Sequence, residues 1–304
     1  MPPAKKIWMN GKFVNWKDAN VHVLTHALNY GTAIFEGIRC YDTPEGPAVF
    51  RLKDHLHRLH DGIKSYEFEF DLSIDRMSAN VKRLIRINKL RSAYIRPICY
   101  VATVGIGLDT TGAQYGFAVA AVPFGKYYGS KSDNGITAMV SSWRRIKATI
   151  LSPHVKASAN YMNSVLAKKE AMEEGFDEAV MLSDEGHVSE GTGENIFVVK
   201  DGALYTPPLY DAVLAGITRD SLIKVARDLG ISVFEQSLLR DDLYTADEVF
   251  LSGTAAEITP VNQVDHRKIT KGAGPVTRKL KDAFFSIVNG KDDRYVNWLD
   301  YVEK

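Results

Sequence analysis

The sequence predicts a mixed α+β / α/β chain built as two domains, a small amino-terminal one and a larger carboxy-terminal one. Three observations predict it. The chain has 304 residues, which at ~150 residues per domain is about two domains. Strand-like and helix-like runs alternate without a fixed period. The richest turn-forming stretch, running from Phe124 and Gly125 to Asn134 and Gly135, falls near the middle of the chain. The expected limits are therefore 1–124 for the small domain, 125–135 for the connecting loop and 136–304 for the large domain.

Taken in order, the chain opens in β structure, with Ile7, Trp8 and Met9 paired to Lys12, Phe13 and Val14 around Asn10-Gly11, the strongest short hairpin signal. Short β-branched or aromatic runs at 49–51, 93–101 and 117–123 predict further strands. Between them, 53–63 and 73–89 predict helices, the second with Ile74, Met77, Val81, Leu84, Ile85 and Asn88 at helical intervals. After the loop, strands are expected at 136–141, 178–182, 195–199 and 249–251. Helices are expected at 161–174, ended by Gly175, and at 219–229, ended by Gly230.

Composition excludes several classes. With 45% hydrophobic and 25% charged residues, the chain is neither disordered nor fibrous. Its 38 basic and 37 acidic residues are interspersed, so no broad field invites nucleic acid or an anionic membrane. No stretch approaches the ~18 uninterrupted apolar residues of a membrane span, and residues 1–8 lack the apolar run of a signal peptide. Cys40 and Cys99 stand isolated, which fits a reducing, cytoplasmic setting. The expected ligand is a small molecule.

Several motifs remain. Gly105-Ile106-Gly107 with Gly112 lacks the spacing and following helix of a dinucleotide fingerprint and reads as a glycine-rich turn. His55, His57 and His60 share one predicted helix, but only the last two are three apart and no HExxH pattern is present. A polar helix face is the default, and no metal is expected. In residues 189–197, Glu190 and Glu194 sit among glycines before an apolar strand, as either a plain turn or a loop that lets a ligand approach. Leu214-Ala215-Gly216-Ile217-Thr218 offers amides and a hydroxyl to an anion, or Thr218 as a plain N-cap. Residues 252–260 repeat the theme of strand end, glycine and exposed amides. Three such loops with no nucleophile triad point to an anionic cofactor with reactivity of its own.

Residues 26–39 (HALNYGTAIFEGIR), 93–97 (AYIRP), 189–197, 215–220 and 252–260 together, and in order along the chain, resemble the branched-chain amino acid aminotransferases. These are pyridoxal 5'-phosphate enzymes of fold type IV, the class IV aminotransferases, with a D-amino acid aminotransferase-like fold. The resemblance implies a cofactor in the interdomain cleft and amino-group transfer between L-leucine, L-isoleucine or L-valine and α-ketoglutarate. It assigns Lys156 as the Schiff-base lysine, whose proton affinity the site must lower so that a neutral amine can attack an aldehyde. It places Glu190 beneath the pyridine nitrogen, Tyr161 on the ring hydroxyl and Leu214 on the ring face. Arg58, Ile217, Thr218 and Thr254 would hold the phosphate.

For the substrate, the resemblance implies an α-carboxylate held by the amides of Thr254 and Ala255 with Tyr94, and a side-chain pocket of Tyr30, Phe35, Gly37 and Tyr127. Binding both leucine and glutamate requires a cation for the second carboxylate, because an unpaired buried carboxylate is far costlier than a misplaced methylene. Arg96 resembles that cation and Arg39 is a second candidate, with an ion pair to Glu36 or to a neighbouring subunit as the alternative for Arg39. Ala159 departs from the family pattern, in which many relatives have glycine. The resemblance also implies a homodimer or homohexamer. The alternatives are a D-amino acid aminotransferase or an aminodeoxychorismate lyase of the same fold, and, from another class, a silent pyridoxal phosphate-binding scaffold.

Overall fold

A computed structural model describes residues 4–71 and 73–303 of the chain; the first three residues of the 1–8 segment read above lie outside the described residues. The described residues divide into two compact units, one within Met1–Gly125, Val155–Ala159 and Ser286–Lys304, the other Lys126–His154 and Asn160–Phe285. This division differs from the expected 1–124, 125–135 and 136–304: Gly125 goes with the first unit and residues 126–135 with the second, and two later pieces, the short segment around Lys156 and the last residues of the chain, belong to the first unit. Both later pieces carry apolar residues buried in its core, Val155 and Ala157 in the one and Val302 in the other.

The first unit is an eight-stranded sheet with helices. The opening hairpin pairs β1 (Lys6–Met9) with β2 (Lys12–Asn15) in the register Met9↔Lys12. Asn10 and Gly11 both take positive φ, 48° and 87°, the geometry that a two-residue hairpin turn requires. After α1 (His26–Tyr30) come β3 (Ala33–Phe35), β4 (Ile38–Thr43) and β5 (Gly46–Phe50). Next follow α2 (Leu52–Ser65), α3 (Ile74–Ile87), β6 (Ala93–Val101) and β7 (Tyr115–Val122).

The sheet order is C-terminal strand (Leu299–Tyr301), β5, β4, β6, β7, β1, β2, with β3 also on β6. Leu52, Leu56, Leu59 and Ile63 form the buried stripe of α2, and Met77, Val81, Leu84 and Ile85 that of α3, the spacing that predicts both helices.

In the second unit, α4 (Lys131–Asn134) and β8 (Ile136–Arg144) lead to α5 (Tyr161–Glu173) and then β9 (Glu178–Leu182), β10 (Val188–Gly191), β11 (Asn195–Lys200) and β12 (Ala203–Thr206). α6 (Ile217–Asp228), β13 (Val233–Glu235), α7 (Arg240–Tyr244), β14 (Glu248–Gly253), β15 (Glu257–Val264), β16 (Arg267–Lys268) and α8 (Pro275–Val288) complete the order. The strand order is β10, β9, β8, β15, β14, β11, β12, β13. Because β10 also pairs with β11, six of these strands close into a ring. The pairs β8–β9 and β12–β13 are parallel, with α5 and α6 as their crossovers.

Helix α6 starts two residues before the expected 219 because Gly216, not Thr218, holds the N-cap position. The N-cap alternative for Thr218 is thereby removed.

Candidate active site

In the first unit the chain around Lys156 is laid down as an extra piece of strand. The Phe35 amide donates to the Lys156 carbonyl at 3.0 Å, Ile34 and Ala157 form an isolated bridge, and the neighbours Val155 and Ala157 are buried. The backbone of Lys156 is therefore fixed while its half-buried side chain places Nζ 5.4 Å from the centre of the Phe35 ring. Ala159 is not among the non-glycine residues with positive φ, so the methyl in place of the family's glycine needs no strained backbone.

Directly after β3, Glu36 is fully buried and accepts from Arg58 Nε at 2.6 Å, Arg58 Nη2 at 2.8 Å, His55 at 2.9 Å and the Gly37 amide at 3.2 Å. Burial pushes its carboxyl up, but Arg58 and His55 outweigh burial and hold it well below the usual range. His55 in turn is depressed by burial, against the pull of Glu36, with Arg58 and Lys156 adding to the depression. The three-histidine face dissolves accordingly: His55 serves Glu36, and His60 lies 3.7 Å from Asp61. Among the described residues no group of three or more His, Cys, Asp or Glu could hold a metal. In the sequence reading Glu36 enters only as a possible partner of Arg39; its partners are Arg58 and His55. The Arg39 guanidinium instead donates to the Gly125 carbonyl at 3.1 Å and lies over the rings of Tyr41 and Phe124.

Arg96 is exposed, lies 4.5 Å over the Phe35 ring and donates to the Tyr94 hydroxyl at 3.0 Å. Gly37 is required by that hydroxyl, since a Cβ there would lie 2.0 Å from Tyr94 Oη. Arg96 also lines an apolar cavity of about 360 Å³ with Leu28, Ala33, Ile98 and Tyr100. Tyr30 accepts from the Gly107 amide at 3.2 Å, and His26 reaches the Gly107 carbonyl at 3.1 Å. The Gly105–Gly107 loop joins two strands and is anchored on α1, with no helix after it, so the dinucleotide pattern has no structural counterpart.

In the second unit the glycine-rich run 189–197 is the β10–β11 turn. Glu190, 5% exposed, pairs with Asn195 across it. Its Oε2 accepts from Asn195 Nδ2 at 3.1 Å and from the Leu214 amide at 3.0 Å, and its Oε1 lies 2.8 Å from Arg145 Nε. Two donors and one cation thus converge on this carboxylate. Arg145 escapes the sequence reading because it follows the β8 strand with no motif around it; only its adjacency to Arg144 could have drawn notice.

Asn195 also donates to the Leu214 carbonyl, and a Cβ on Gly216 would sit 1.9 Å from Asn195 Oδ1, which ties the start of α6 to the same turn. Among the described residues no side chain caps α6, and Thr218 is buried in its first turn with Ile217 beside it. Thr254 and Ala255, half-buried, lie in the β14–β15 turn. Tyr161 opens α5, and with Tyr127 and Thr192 it lines a cavity of about 540 Å³.

A pyridinium ring with a phosphate asks for a buried anion, a helix start without a side-chain cap and hydroxyls in need of a partner. Glu190 and α6 supply the first two, and the buried hydroxyls of Ser189 and Ser252 have no hydrogen-bond partner among the described residues. The residues fit that group.

Comparison with known proteins gives the same direction. The family model for amino-transferase class IV matches residues 33–264. The branched-chain-amino-acid aminotransferase of Escherichia coli (strain K12) is 49% identical over 304 residues, 99% of this chain and 98% of that protein. A crystal structure of the Escherichia coli branched-chain amino acid aminotransferase superposes with a TM-score of 0.96 at 49% identity, covering 98% of this chain and 99% of that one. A branched-chain aminotransferase from the thermophilic archaea Thermoproteus uzoniensis, solved with norvaline, gives a TM-score of 0.95 at 44% identity, covering 98% of this chain and 99% of that one.

Proposed function

The chain belongs to the class IV amino-transferase family, and on that premise we propose how its residues divide the work of a pyridoxal phosphate-dependent branched-chain amino acid aminotransferase. The protein transfers the amino group between L-leucine, L-isoleucine or L-valine and α-ketoglutarate. When bound, pyridoxal phosphate supplies an aldehyde carbon and a ring that withdraws electrons from the substrate α-carbon.

Lys156 would hold the cofactor through its side-chain amine, and the same amine would take up and return the proton of the substrate α-carbon. Glu190 keeps a proton on the ring nitrogen: Asn195, the Leu214 amide and Arg145 hold its carboxylate in place, and an anion there favours the protonated ring. The phosphate is assigned to Ile217 and Thr218 at the start of α6, to Thr254 and to Arg58, which Glu36 orients. Tyr161 is assigned to the ring hydroxyl and Leu214 to the ring face.

For the substrate, Thr254, Ala255 and Tyr94 are assigned to the α-carboxylate, and Tyr30, Phe35, Gly37 and Tyr127 to the apolar side chain. Arg96 takes the distal carboxylate of glutamate: it is exposed, held by Tyr94 and already beside an apolar cavity. Arg39, buried between two rings, is the second candidate. We place the protein in the cytoplasm, on the support of the buried free thiols Cys40 and Cys99, each pushed up to about 12 chiefly by burial and so kept as thiols.

The observation that carries this reading is the Glu190 carboxylate with Arg145, Asn195 and the Leu214 amide around it. The test is turnover of the purified protein with pyridoxal phosphate and α-ketoglutarate. L-Leucine is expected to react and D-alanine not; an inert leucine with a reactive D-alanine assigns the chain to a D-amino acid aminotransferase instead.

A further inference from the structure

The β10–β11 turn holds a second carboxyl whose partners count its protons. Tyr128 Oη lies 2.7 Å from Glu178 Oε2 and 3.0 Å from Glu194 Oε1. A phenol has one proton and can donate to one of them. Glu178 already accepts from Lys168 Nζ at 2.7 Å, Thr192 Oγ1 at 2.6 Å and the Ala179 amide at 2.9 Å, a set of donors that belongs to an anion. Glu194 accepts the Gly193 amide through its other oxygen at 3.0 Å, and the nearby Lys168 ammonium is paired with Glu178. With the phenol proton on Glu178, the 3.0 Å contact between Tyr128 Oη and Glu194 Oε1 requires a proton from Glu194.

We propose that Glu194 is a neutral carboxylic acid in the working enzyme, a positioning residue that donates to Tyr128 and so fixes the turn carrying Glu190 and Asn195. The link is short. The Gly191 amide donates to the Glu194 carbonyl at 2.7 Å, and Glu190 and Asn195, the residues just outside the turn, are paired in register. A charge on Glu194 would face the lone pairs of Tyr128 and the carboxylate of Glu178, and the turn would have to move. The groups facing Glu194 are Glu178 on β9, Tyr127 and Tyr128 on the preceding loop, and Lys168, Lys169 and Tyr161 on α5; β14 approaches through Gly253. Burial, and then the charge of Glu178, push the Glu194 carboxyl up to about 8.

The consequence for Glu190 rests on its assigned place beneath the ring nitrogen; the proton on Glu194 does not. The experiment therefore reads both in the holoenzyme. Infrared spectra of the wild-type protein are expected to show a carboxylic acid band at neutral pH that vanishes through about pH 8 and is missing in Glu194→Gln. Over the same range the rate of cofactor release is expected to rise about tenfold in the wild type, while Glu194→Gln, whose amide still donates to Tyr128, stays flat. Glu194→Ala is expected to release the cofactor rapidly at every pH. If no such band exists, or if Glu194→Gln keeps the wild-type pH dependence of release, the proposal is overturned. A chain inert toward leucine would sink the functional reading and leave the infrared result standing.

Discussion

Replacing Glu36 by glutamine would leave the Arg58 guanidinium and His55 facing a neutral amide in a fully buried place. Removing one member of a buried ion pair typically costs about 3–5 kcal/mol, because the remaining charge is uncompensated. Glu36→Gln is therefore expected to lower the unfolding free energy read from a urea titration by an amount of that order and to weaken pyridoxal phosphate binding more than binding of unphosphorylated pyridoxal; equal weakening of both would separate Arg58 from the phosphate. The pH sign follows from the depressed carboxyl. Its contribution is complete above the ordinary value of 4.5 and is lost as pH falls below it, so the wild type should lose stability in acid more steeply than the variant. Gly37→Ala acts through Tyr94: the new methyl displaces the hydroxyl that Arg96 holds and that is assigned to the α-carboxylate of both substrates, so KM for α-ketoglutarate and KM for leucine should each rise about tenfold, or ~1.4 kcal/mol. None of this network is visible in the chain, because His55 and Arg58 lie 19 and 22 positions after Glu36 and only the fold brings them together.

At the scale of elements, legibility follows the length and regularity of the apolar pattern. The β6 strand at 93–101 has the expected bounds, and α2 and α3 depart from theirs by one or two residues, because each buries a stripe with a clear period. The short strands β3, β10, β12 and β13 have three or four residues each, too few to show alternation, and their pairing partners are what make them strands. The two elements nearest the assigned chemistry are legible through glycine: the 189–197 turn and the start of α6, where Gly216 leaves room for Asn195 Oδ1. The hairpin offers a clean test of backbone against packing. A Cβ on Gly11 would meet nothing within 4 Å, yet its φ is 87°. Gly11→Ala is expected to cost about 1 kcal/mol in a urea titration through conformation alone; no change would mean that the turn relaxes freely.

For the whole molecule, the apolar residues left at the surface of the first unit decide what the chain does next. Val23, Leu28, Val104, Ile106 and Leu108 are 69%, 63%, 54%, 87% and 76% exposed, and they sit on α1 and on two loops bound to each other: the Gly105 amide donates to the Leu24 carbonyl, and Thr25 and Val104 form a bridge. Single exposed apolar residues are ordinary, but five on neighbouring segments form a patch of the kind that another chain covers. With the chain near neutrality, at a formal net charge of +1, long-range repulsion between copies is weak. The occupant we propose is a second copy of this chain, and a two-fold contact would use the same loops on both sides. Sedimentation of the wild type should therefore give at least a dimer. Leu108→Glu, which places a charge where apolar area would be buried, should shift the protein toward monomer. A wild-type protein that sediments as a monomer at micromolar concentration, or a Leu108→Glu variant that assembles as the wild type does, would rule out these loops as the assembly face.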